Sequence, residues 1–151
     1  MENEPEKNIS FFRFEDLRVY HKALDYICYI NDVTLFLPNK EKENLVTKFN
    51  QSTRAIAMNI AEGSSRNKNQ FIYYLKLAKS AIRECIVYTT ICYGLEYFSD
   101  DVEEKSRNEL MEMTKMIGAL ITSLQKTMSP APPNQQENFI VYEKPMEPRA
   151  Y

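Results

Sequence analysis

Five cations fall between positions 64 and 83 of this 151-residue chain: Arg66, Lys68, Lys76, Lys79 and Arg83. No acidic residue lies between Glu62 and Glu84, so the stretch carries a local +5 in a chain of net charge −2. Lys76, Lys79 and Arg83 follow at i, i+3 and i+7, the spacing of one helix face, and Tyr73 and Tyr74 come just before them. Such a stripe can track phosphates while aromatic rings meet bases. The competing reading is a solvated face whose cations pair with acids of the last helix, such as Glu103, Glu104, Glu109 or Glu112. Just upstream, Asn59 and Glu62 end an apolar helical run. They read best as a structural polar pair, with Glu62 accepting from Arg66 or Lys79 and tying its helix to a neighbour.

Other chemistries find little support. His21 is the single histidine, and Cys28 lies two helical turns on, about 10 Å along the axis and beyond a nucleophile–base hydrogen bond. A di-iron bundle needs two Glu-x-x-His pairs, and a glycine-rich phosphate loop is missing. Cys85 and Cys92, seven apart on one apolar stripe, read as small core residues. No enzymatic activity, cofactor or metal site is expected. Three cysteines and an acidic, polar N-terminus without a leader pattern point to a reduced, cytoplasmic setting. The longest uncharged stretch, Cys85 to Leu95, is far short of the roughly 20 residues that span a bilayer.

The elements that must position these residues are helical. From Asn39 to Ser129 there is no proline, and apolar residues recur at three-and-four spacing. The first helix is expected over 15–37, stopped by Pro38, and the second runs to Ala61. Gly63 is expected in the left-handed conformation that closes a helix. Asn67 can accept from the backbone of Gln70 while the Gln70 side chain reaches back, a capping box, before Phe71 starts the third helix, expected over 69–97. In its second half Ile86, Val87, Tyr88, Ile91, Tyr93 and Leu95 wrap most of the circumference, which calls for contact with another copy. Ser99 caps the fourth helix, expected to end near Met128. The expected fold is all-α, an antiparallel up-down-up-down four-helix bundle over 12–128, with a loose arm over 1–11 and an extended, proline-rich tail over 129–151. Phe139, Ile140, Val141 and Tyr142 are the apolar exceptions in that tail.

Four stretches carry a family resemblance: Phe14 to Ala23, Phe36-Leu37-Pro38, Asn59 to Gly63 with Arg66 and Phe71, and Met116 to Leu124. Together they resemble the four-helix-bundle family encoded by intervening sequences in bacterial 23S ribosomal RNA genes. That family is related to accessory proteins of diversity-generating retroelements. The resemblance covers about residues 12–128. It implies a bundle without catalytic activity that assembles as a ring-like pentamer, with nucleic acid and a reverse transcriptase as partners of the basic retroelement members. This chain departs from them in charge: Asn50 and Gln51 stand where many relatives carry paired basic residues, and Ala55 where a serine is usual. The functional expectation is a homo-oligomeric scaffold, associated with RNA or a ribonucleoprotein; the alternative is a protein–protein interaction module that binds no nucleic acid.

Overall fold

The computed structural model describes residues 11–128, and the expected tail over 129–151 lies outside them. Four helices form the body: α1 (Arg18–Thr34), α2 (Thr47–Ser64), α3 (Lys68–Gly94) and α4 (Asp100–Lys126). No strand occurs among the described residues. Each helix packs on two others, α1 and α3 both lying against α2 and α4. This is the antiparallel up-down-up-down bundle, and its core is a continuous apolar cluster running from Val19 and Tyr26 through Phe49, Ile60, Leu75 and Ile82 to Leu110 and Ile117. Burial of that stripe on every helix is the main drive for the fold.

The helix ends depart from the sequence expectation where packing or capping overrides periodicity. The first helix begins later than expected, because a 3-10 turn over Arg13–Asp16 precedes it and Leu17 between them is extended. It also ends earlier, at Thr34, whose hydroxyl donates back to the Ile30 carbonyl at 2.6 Å. The chain then turns so that Leu37 enters the core. Before α2 a turn of π-helix, Lys42–Val46, delivers Leu45 to the interior. The third helix stops at Gly94 rather than at Tyr97. Glu96 takes the left-handed conformation (φ 62°), and the amides of Tyr97 and Phe98 both donate to the Cys92 carbonyl. Phe98 is thereby folded back onto Phe49, 6.2 Å between ring centroids.

Gly63 corrects the sequence reading. No glycine of the described residues has a positive φ, and α2 runs through Gly63 to Ser64. Its lack of a side chain is needed for close approach: a Cβ there would lie 2.6 Å from the Tyr74 Cβ and 2.9 Å from the Phe71 ring. The turn that follows is short. Asn67 accepts from the Gln70 amide at 2.9 Å and caps α3, so α2 and α3 are clamped together at this end. At the opposite end Ser99 caps α4 by accepting from Val102, and Asp100, Asp101 and Glu103 fill its first turn.

The cysteines divide sharply. Cys28 is exposed, whereas Cys85 and Cys92 are buried and burial pushes the Cys92 thiol up to about 12. A thiol reagent should therefore titrate one cysteine rapidly in the folded chain and all three only after denaturation. Fast reaction of two or three would contradict the packing.

Candidate nucleic-acid interface

The cations of 64–83 separate into two groups. Arg66 and Lys68 sit at the α2–α3 turn and are engaged there. Arg66 donates to the Glu62 carboxylate at 2.6 Å and lies 5.1 Å from the centroid of the Tyr74 ring. Lys68 donates to the Thr127 carbonyl at 3.2 Å, a cation placed on the C-terminal turn of α4. Glu62 is exposed, and its bond to Arg66 is an i,i+4 pair within the helix end. Asn59 donates to the Ala55 carbonyl of its own helix at 2.8 Å. The two polar residues that looked like one inter-helix pair therefore act separately; α2 and α3 are tied by Ser52, which donates to the Glu84 carboxylate at 2.8 Å, and at the turn by Arg66 over Tyr74.

Lys76, Lys79 and Arg83 lie along α3, within about 60° of arc on the helix surface. Arg83 is exposed and its guanidinium donates to the Ser80 hydroxyl at 3.0 Å; Lys76 and Lys79 are half-buried. Tyr73 adjoins them with its ring edge against Tyr74, the centroids 5.3 Å apart. Among the described residues no carboxylate lies within ion-pairing distance of Lys79 or Arg83.

Three of the four acids expected to neutralise this ridge are engaged elsewhere. Glu109 and Glu112 both hold Lys22 of α1, and this pairing keeps the Glu112 carboxyl below its usual range. Glu103 holds Arg107 of its own helix, and Arg107 also donates to Thr90 of α3 at 2.7 Å. Which way α4 faces decides this: Glu109 and Glu112 face α1. Lys79 and Arg83 are thus left without an ion pair among the described residues of a net-acidic chain.

Further along α3 the same outward side turns apolar. Val87, Ile91 and Leu95, one helical turn apart in sequence, are 57%, 39% and 53% exposed, and Tyr93 is 43% exposed. The expectation of surplus apolar surface in the second half of this helix is met in the single subunit.

Three further placements bear on function. Asn50 is buried, so it serves the α1–α2 junction, donating to the Thr34 hydroxyl at 3.1 Å and the Val46 carbonyl at 2.9 Å; Gln51 is exposed. His21 bonds the Glu15 carbonyl and steadies the 3-10 turn. Among the described residues no group of three His, Cys, Asp or Glu side chains could hold a metal ion, and no helix is long and apolar enough to cross a membrane.

Sequence reasoning missed a buried hydroxyl chain. Tyr26 of α1, Ser106 of α4 and Thr89 of α3 meet in the core, each neighbouring pair of oxygens 2.8 Å apart. Ser106 carries the available signal, a polar residue in register with the apolar stripe Leu110, Met113 and Ile117.

A family model described as 23S rRNA-intervening sequence protein matches residues 15–119. Among solved structures, the chain is similar to a protein of unknown function from the S23 ribosomal protein family of Bacteroides thetaiotaomicron. The TM-score is 0.63 and the identity 24%, covering 69% of this chain and 95% of that one. No curated protein matches the chain.

Proposed function

The chain belongs to the 23S rRNA-intervening sequence protein family, and from that premise we propose that it is a non-enzymatic helical scaffold that self-associates and holds RNA along α3. The observation that supports this most strongly is the pair Lys79 and Arg83 on α3, without a carboxylate partner among the described residues, while Glu103, Glu109 and Glu112 of α4 are committed to Arg107 and Lys22. Lys79 and Arg83 present charge to a phosphate backbone, and Tyr73 offers a ring face beside it for a base. A cation-bearing rod of α3's length spans several nucleotides without reading sequence, so binding should be general for single-stranded RNA. Titration of labelled single-stranded RNA at low salt tests this. Saturable binding that weakens steeply with added salt is expected, and no binding at low salt overturns it.

Self-association is supported by the exposed strip Val87, Ile91 and Leu95. In a ring of five, as the resemblance implies, one ridge per subunit would repeat, and weak contacts would gain from multivalency. Light scattering across a concentration series should show a mass above one subunit, and replacing both Val87 and Ile91 by Glu should return it to one. A single subunit at every concentration contradicts this part. The same strip favours a second reading, a module that docks a different protein and binds no RNA; a wild type that stays a single subunit and ignores RNA would favour it.

A further inference from the structure

The bundle leaves the strip Val87, Ile91 and Leu95 of α3 exposed, and the C-terminal extension carries an apolar run, Phe139-Ile140-Val141-Tyr142. We infer that this segment of the chain's own C-terminal extension lies along Val87 and Ile91 and covers the strip within one subunit. For its consequence, control of self-association, this rests on the self-association reading above; the docking itself does not.

Reach, spacing and charge all bear on it. The bond between Lys68 and the Thr127 carbonyl sets the start of α3 beside the end of α4. From Lys68 to Val87 the helix rises about 28 Å. From Thr127 to Phe139 a chain with Pro130, Pro132 and Pro133 spans about 37 Å in polyproline-like form. The surplus covers the sideways step across one helix, roughly 10 Å. Phe139 is thus within reach of the level of Val87. Beyond it, alternate residues of a β-extended chain share one face and recur every ~6.6 Å, and the i,i+4 residues of the helix every ~6 Å. Phe139 and Val141 therefore keep step with Val87 and Ile91. One step earlier, Glu137 comes level with Arg83, a guanidinium with no carboxylate partner among the described residues. The alignment runs parallel to α3, apolar on apolar and acid on base. A second copy that uses the same strip must first displace the segment, so the extension raises the concentration at which copies associate.

The test is thiol reactivity in the full chain. In a Cys28→Ser background, Val87→Cys is labelled with a small maleimide, with and without Ser at all four of positions 139–142. Met58→Cys, on the outward side of α2, is the control. With the native segment, Val87→Cys should react at least fivefold more slowly than with the serine segment, equally at every dilution, while Met58→Cys is indifferent. Equal rates overturn the docking. Protection that survives the serine substitutions and fades on dilution shows a second copy on the strip, so the docking fails while self-association stands. Protection that needs the native segment yet fades on dilution places it on another subunit and overturns the intramolecular form.

Discussion

Replacing Gly63 by Val is expected to cost about 3 kcal/mol and to lower the melting temperature by roughly 10 °C. The added Cβ would stand 2.6 Å from the Tyr74 Cβ and 2.9 Å from the Phe71 ring. Neither neighbour can yield cheaply. Tyr74 is fixed at its own Cβ, and Phe71 is held one turn into α3 by the hydrogen bond its backbone N–H donates to the Asn67 carbonyl at 2.8 Å. Relief therefore requires α2 and α3 to move apart where the core includes Ile60 and Leu75. Gly118 supplies the opposite sign. It sits within α4 with nothing inside 4 Å of a built Cβ, so Gly118→Ala should gain between about 0.5 and 1 kcal/mol from helix propensity alone. Thermal melts of both variants decide the matter. A Gly63→Val chain melting within two degrees or so of wild type would remove close approach as the reason for this glycine.

Ser106→Ala is expected to cost about 2 to 3 kcal/mol, more than the roughly 1 kcal/mol expected for Tyr26→Phe. The asymmetry follows from proton direction. Thr89 donates its hydroxyl proton to the Cys85 carbonyl at 2.8 Å, leaving a lone pair for Ser106. Ser106 therefore donates to Thr89 and accepts from Tyr26. Removing the serine hydroxyl strands the Tyr26 O–H in a fully buried position, whereas removing the phenol strands only a lone pair. Burial also holds the Tyr26 phenol far above its usual range, so it remains a neutral donor. Chemical denaturation of the two single variants tests the order. Equal costs, or a costlier Tyr26→Phe, would contradict the assigned direction.

Much of the bundle is legible in the sequence because helix cores repeat at 3.6 residues. The stripes through Leu75, Ile82 and Cys85, and through Leu110, Met113 and Ile117, give two of the helices directly. The caps at Asn67 and Ser99 are equally local, since each side chain bonds an amide three residues away. Gly63 was not legible in kind. A glycine near a helix end suits a left-handed cap and a close approach alike, and only the position of Tyr74 separates them. The end of α3 was overrun because Tyr97 and Phe98 are apolar, yet Phe98 reaches the core only if the helix stops first. The cationic ridge was visible as composition, but its balance with α4 depended on which helix Glu109 and Glu112 face, and sequence spacing carries no such direction. The Tyr26, Ser106 and Thr89 chain joins three helices and leaves a trace only where Ser106 interrupts its stripe.

The salt dependence of single-stranded RNA binding, compared between wild type and the double variant Lys79→Gln and Arg83→Gln, tests the functional account most directly. Each phosphate contact on a single strand contributes a slope of about −0.7 in log K against log salt, so the double variant should lose about 1.4 of the wild-type slope. Its fold and melting temperature should stay close to wild type, because no carboxylate among the described residues pairs with either side chain. An unchanged slope, with binding as tight as wild type, would place the RNA contact elsewhere and contradict the assignment of α3.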